Sequence, residues 1–303
     1  MEESKIIRKE YTSKHESGLI KALEDWRNLP DSFSKKPDGV FGFNAVVKSG
    51  NVTVKSEELD FEFDIPFDDD LEPNEAEIVV YNLSDETIKN LKSREVITVD
   101  AGYTGDTGQI FKGYITRVRT KYDGADKITT IKALDDVKNH TVESLSFAAG
   151  TKASAILRTL IDKTGLPVAV MSIRRDHTYE NEQTVDGDLM QAISKYSEVC
   201  GVSTYTLKGK IYCRYIKEGD NINFTVKAET GMIGSPSEYE EEVTAEDYKD
   251  VINGYEVEML LQHRMQTAAI IDLESLITTG QYRVRSGKHL YDGLSATTEL
   301  KLM

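Results

Sequence analysis

The sequence has little that could staple or catalyse. Its two cysteines, Cys200 and Cys213, cannot build a disulfide framework, and their spacing is no metal signature. The five histidines form no HExxH or HxH pair, so no metal site and no cofactor is expected. Six prolines and 21 glycines exclude a collagen-like or broadly disordered chain. The longest apolar stretch, residues 166–171, is far too short to cross a bilayer, and the opening MEESKIIRKE lacks the apolar run of a secretory signal. Basic side chains are scarce: 37 against 52 acidic ones, a net charge of −15. Such a balance opposes neutralising phosphates, which argues against specific nucleic-acid binding and against anionic membranes. The expectation is a non-inserted globular protein made in a cytoplasm.

Catalytic motifs are missing as well. No serine sits in a GxSxG elbow. The glycines of residues 102–108 are followed by Gln109 and Ile110 where a phosphate loop needs Lys and Ser/Thr, so a hairpin turn is expected there. Asp68, Asp69 and Asp70 lack the alternate spacing of a calcium loop and read as a solvated strand end. Asp176 and His177, near Glu180 and Glu182, read as a polar loop. The residues point to a protein that works by shape and assembly, not to an enzyme.

The acidic excess is concentrated. Residues 57–77 hold 11 acids and no Lys or Arg, and residues 237–250 hold seven acids and one Lys. Both runs read as solvated faces or loops, or as surfaces shaped by a charged partner. Residues 1–37 form a polar arm in which Leu19, Ile20, Leu23 and Trp26 share one face of a short helix. This stripe is too small for a core of its own, so it should dock on its own body or on a neighbouring subunit.

From Val40 the period becomes two. Leu59, Phe61, Phe63, Ile65 and Phe67 alternate with Asp60, Glu62, Asp64, Pro66 and Asp68, the pattern of a half-buried strand with one row of carboxylates. Further strands are predicted at 78–81, 96–99, 110–119 and 128–134, with Ser84 capping a small helix between the first two. Past Gly150 two helical stripes follow, 151–163 stopping at Gly165 and one starting after Asp188, then a hairpin at Lys208-Gly209. Strands return at 251–261, 268–273, 281–285 and 296–302. An internal repeat links the halves: Arg117-Val-Arg119, Tyr122-Asp-Gly124, Thr129-Thr130 and Leu134 recur as Arg283-Val-Arg285, Tyr291-Asp-Gly293, Thr297-Thr298 and Leu302. The expected architecture is mainly β with an α+β insert: an arm (1–37), a first β-barrel (38–148), an α+β domain (149–236) and a second, related β-barrel (237–303).

The run IVVYNLSDETIKNL at 78–91, then VITVDAGY at 96–103 and GQIFKGYI at 108–115, resembles the baseplate or tail-hub proteins of long-tailed bacteriophages and phage-tail-like bacteriocins. Tyr282-Arg-Val, His289, Asp292-Gly293 and Thr297-Thr-Glu-Leu300 are similar to that family's second barrel. The resemblance implies a homotrimer whose two barrels per chain build a pseudo-sixfold ring in a virion or bacteriocin-like particle assembled in the bacterial host cytoplasm. The ring would meet a hexameric tail-tube or distal tail protein on one side and a spike or fibre protein on the other, and would let DNA or tape-measure protein pass. Asp60, Glu62 and Asp64 would then line the channel, outer solvent being the competing fate of that face. The arm has no place in the family pattern, and no fused hydrolase or spike is expected. A carbohydrate-binding adhesin of a tail tip, using the 15 tyrosines and Trp26 as stacking surfaces, is the alternative. Against it, most aromatics sit at core positions of alternating strands.

Overall fold

The computed structural model describes residues 42–135, 141–245 and 248–303. The arm, with Leu19, Ile20, Leu23 and Trp26, lies outside the described residues. What is described is mainly β, with few helices. The first part contains β1 (Phe43–Ser49), β2 (Val52–Lys55), β3 (Phe61–Phe67), β4 (Glu75–Tyr81), α1 (Asp85–Asn90), β5 (Val96–Tyr103), β6 (Asp106–Asp123) and β7 (Asp126–Leu134). The middle contains β8 (Thr141–Phe147), α2 (Ala153–Thr164), β9 (Val168–Met171), β10 (Gln183–Asp188), α3 (Leu189–Val199), β11 (Ser203–Leu207) and β12 (Lys210–Arg214). The last part contains β13 (Asp220–Val226), β14 (Met232–Ala245), β15 (Tyr248–Leu260), β16 (Ala269–Glu274), β17 (Thr279–Tyr291) and β18 (Ala296–Leu302).

Local chemistry explains the punctuation. The Ser84 hydroxyl accepts the Thr87 amide at 3.0 Å and caps α1, whose first turn carries Asp85 and Glu86 at the positive end of the helix. Asp188 caps α3 by accepting the Gln191 amide at 2.9 Å. Lys208 and Gly209, both at positive φ, make the tight turn between β11 and β12.

Apolar side chains collect in three clusters. One is built from Phe61, Phe63, Ile65, Ile78, Val80, Ile97, Val99, Ile115 and Ile131, and it also takes Leu261 and Ala296 from the end of the chain. A second packs Ile156, Leu160, Ile193 and Tyr196 of the two longer helices on Ile211 and Cys213. A third joins Val257, Met259, Ile271, Val284, Leu300 and Leu302 to Phe67 of β3. Burying one such side chain is worth roughly 1.5–3 kcal/mol, so each cluster can hold its own strands. β8 sends Leu145 and Phe147 to the second cluster, and β13 pairs parallel with β16 and gives Val226 to the third.

The two β parts repeat one plan. Adding 169 to each residue number of the β6–β7 pairing gives that of β17–β18: Ile115↔Ala133 becomes Val284↔Leu302, Arg117↔Lys132 becomes Ser286↔Lys301, and Tyr122↔Lys127 becomes Tyr291↔Ala296. Even the one-residue bulge, at Thr116 and Arg285, falls at the same place. The neighbours follow suit, so the strand order β3-β4-β7-β6-β5 has its counterpart in β14-β15-β18-β17-β16. This corrects the repeat read from sequence. Tyr122-Asp-Gly124 and Tyr291-Asp-Gly293 are equivalent, as are Thr129 and Thr298, but the two Arg-Val-Arg runs are three residues out of register.

Separate closed barrels are not formed by the described strands. The N-terminal half of β17 pairs with β16, and its C-terminal half crosses to β3, with Gly287↔Phe67, His289↔Ile65 and Tyr291↔Phe63. One 13-stranded sheet therefore runs through both parts, with β14 and β2 at its open ends. Gly287 permits the crossing, because a Cβ there would lie 2.3 Å from the Glu299 carbonyl oxygen and 2.7 Å from the Phe67 ring.

Candidate functional site

The outer face of the joined sheet is a carboxylate-lined concavity of about 800 Å³. β3 supplies Glu62 and Asp64, β4 Glu75 and Glu77, β15 Glu258, and the β17–β18 turn Asp292, with Lys288 of β17 as its one basic lining residue. The alternation of β3 places them: Phe61, Phe63, Ile65 and Phe67 go inward, which commits Glu62 and Asp64 to the other side. Asp64 stands opposite Glu77 on one neighbour and Leu290 on the other.

Pairing neutralises only part of this charge. Lys132 reaches both Glu75 and Glu77, Lys288 meets Glu299 at 3.1 Å, and the Tyr81 hydroxyl donates to Glu62 at 2.8 Å. Burial raises the Asp64 carboxyl above the usual carboxylate range, Lys288 opposes this, and Glu299 and Glu77 add to it. Exposed pairs such as these contribute little stability, so the face is a sink of negative potential rather than a stabilising network.

Beneath it a buried seam ties the parts of the chain together. Asp69, expected in a solvated strand end, is instead buried and meets Arg283 at 2.8 Å and Arg285 at 3.5 Å. Its carbonyl accepts the Ser203 hydroxyl of β11 at 2.6 Å, and the Asp68 carbonyl accepts Thr267 at 2.8 Å. Arg285 also reaches Glu241 of β14 at 2.7 Å. Burial, with Asp70 alongside, pushes the Asp68 carboxyl up to about 6. At the start of β6, Arg264 grips Asp106 with two bonds of 2.6 and 2.7 Å, a charge-assisted fork.

Residues 73–282 match the family model described as baseplate hub gp41. The chain belongs to this baseplate hub family. No curated protein matches it in sequence. Its fold is similar to the 43 kDa tail protein of prophage MuSo2 from Shewanella oneidensis, with 9% identity, a TM-score of 0.61, and coverage of 86% of this chain and 97% of that one. A tail protein from Neisseria meningitidis MC58 is similar at 10% identity and a TM-score of 0.60, over 86% of this chain and 96% of the other. An Escherichia coli protein, c3393, is described as a type VI secretion component resembling the T4 tail proteins gp27 and gp5. It matches at 8% identity and a TM-score of 0.57, over 85% of this chain and 76% of its own.

In this baseplate hub protein, Glu62 and Asp64 come together in the concavity, whereas Asp60 is exposed just before β3 and outside the lining. Sequence reasoning missed Glu75, Glu77 and Glu258 as their companions, and the β4 alternation Glu75-Ala-Glu77-Ile-Val could have shown the first two. Among the described residues no group of three His, Cys, Asp or Glu is placed to hold a metal ion, and no helix is long and apolar enough to cross a membrane.

Proposed function

We propose that three copies of this hub chain close into a ring in which the two β parts of each copy occupy six similar positions. The observation that carries this reading is the uniform 169-residue offset between the hairpins, which makes the parts interchangeable building units. Cyclic closure is the usual form of an oligomer. Six similar positions suit a hexameric tail-tube or distal tail protein, and three chains offer a threefold platform to a spike or fibre protein. DNA or tape-measure protein passes through the opening. The division into an arm (1–37), a first barrel-like unit (38–148), an α+β domain (149–236) and a second barrel-like unit (237–303) goes with this reading, and the arm's Leu19, Ile20, Leu23 and Trp26 bind a partner surface. The role is structural, in a phage or bacteriocin-like tail, and not catalytic.

Asp60, Glu62 and Asp64 face the channel in this proposal. DNA carries about one charge per 1.7 Å of duplex axis, so a carboxylate-lined wall offers it no attractive site. Support for Glu62 and Asp64 comes from the concavity, where six carboxylates face one lysine among the described residues. The adhesin reading has less behind it, since Tyr122 is the one strongly exposed aromatic among the described residues. Light scattering of the purified chain near 10 μM, an order-of-magnitude choice for a specific interface, tests the ring. A mass about three times 34.0 kDa is expected, and a monomer within an intact particle refutes it.

A further inference from the structure

We infer that neighbouring copies are joined by strand pairing between the C-terminal half of β6 and β14 of the next copy. The inference rests on the ring reading and names the surfaces that close it.

The argument starts from the seam inside one chain. The C-terminal half of β17 has β18 on one edge and β3 on the other. By the 169-residue offset, its equivalent in the first part is β6 from Val118 to Tyr122. That stretch has β7 on one edge, but the β5 ladder ends where Val96 meets Tyr114 of β6, and no described strand lies on the other edge. The counterpart of β3 is β14, which ends the sheet and, among the described strands, pairs only with β15. Among the described residues each chain therefore makes one β17–β3 joint and leaves the two halves of a second one open. A long exposed strand edge is a template for another strand, and natural proteins cover or pair it.

The intramolecular register transfers directly. Asp64 stands opposite Glu77, whose counterpart Glu256 stands opposite Ser237, so Ile65↔His289 corresponds to Glu238↔Thr120. The pairing brings Ser237–Glu241 of one copy against Arg117–Lys121 of the next.

Charge fits this assignment and no internal use explains it. Arg117, Arg119 and Lys121 are exposed and form no ion pair among the described residues. Glu238 and Glu240 are likewise exposed and unpaired among them. In this register Arg117 stands directly opposite Glu241 and Arg119 lies diagonal to it on the same face, while Glu238 and Glu240 stand opposite Thr120 and Val118 on the other face, so a basic β6 edge rejects a second β6 edge and accepts the acidic β14. The contact is head-to-tail, and with two units per chain it extends the same joint around a closed ring.

The test uses the full chain carrying Thr120→Cys and Glu238→Cys, oxidised near 10 μM, an order-of-magnitude choice, and run on a non-reducing gel beside light scattering. Cys200 and Cys213 are buried and do not compete. Directly opposed residues lie within disulfide reach, so covalent dimers and trimers are expected from the double variant and neither single one. In a second arm, Arg117→Glu, Arg119→Glu and Lys121→Glu together, which set like charges against Glu241 and the acidic edge of β14, should reduce the assembly to single chains. A trimer that forms no cross-link and survives the triple reversal overturns the strand assignment and leaves the ring standing. A chain that stays monomeric without cross-links overturns both.

Discussion

His289 lies where β17 exchanges β16 for β3, and acid reads out its environment. The ring is fully enclosed: Nδ1 is 2.9 Å from the Thr298 hydroxyl, Nε2 is 3.2 Å from the Met265 carbonyl, and Phe67 lies 5.1 Å away between ring centroids. With a carbonyl oxygen facing Nε2, that nitrogen carries the proton and Nδ1 accepts from Thr298. Burial lowers the pKa from 6.5 to about 3, so the folded protein holds a neutral ring where the unfolded chain would be charged. The unfolded state binds the extra proton, so stability is lost as pH falls below about 6.5, and the loss continues towards pH 3. At pH 5 the difference amounts to about 2 kcal/mol. Asp68 acts in the opposite sense, since its folded pKa is raised to about 6 and proton uptake there favours the folded state. The raw pH profile therefore mixes two groups. Urea unfolding of the native chain and of His289→Gln, at pH 7.5 and pH 5 and at one protein concentration, separates them. The native chain should lose about 2 kcal/mol more than the variant between the two pH values. Equal losses would show that His289 is not held neutral, and the reasoning would fail.

Asp69→Ala strands Arg283, which is 4% exposed, without its carboxylate, and should cost about 3–5 kcal/mol in thermal or chemical unfolding. A cost below about 1 kcal/mol would place Asp69 among ordinary surface carboxylates. Replacing Asp60, Glu62 and Asp64 together by lysine should leave assembly largely intact and slow DNA ejection, most at low salt where screening is weak. Unchanged ejection at low ionic strength, with the variant shown to be incorporated, refutes the channel role.

Legibility followed the strength of the binary pattern. β3 was readable because four apolar side chains alternate with polar ones in a strand buried on one face. The two longer helices were readable because their apolar stripes meet each other and end at Gly165 and Cys200. β14 was not: its Tyr239, Glu240 and Glu241 run beyond the last β15–β18 pair, so neither face carries an apolar row. The C-terminal half of β17 was hidden for a different reason. Gly287, Lys288 and His289 look like a loop, yet the first is required by close approach and the last is a satisfied core histidine. Of the acidic site, β3 announced its share, while Glu258 joins it only through a β15–β18–β17 arrangement that no local pattern encodes. Asp69 read as solvated because its partners, Arg283 and Arg285, are remote in sequence.

The β17–β3 joint also sets a timetable for synthesis. Phe63 and its partner Tyr291 are separated by most of the described chain, so the first core lacks a wall until the last strands leave the ribosome. At 5–20 residues per second the nascent β3 waits on the order of 10–45 s with its β17 edge unpaired. Such long-range closure belongs to slow, high-contact-order folding, in which exposed strands invite aggregation. Glu62 and Asp64, which alternate with the aromatics of β3, are placed to keep two waiting chains apart, so the row of carboxylates guards the strand before any particle exists.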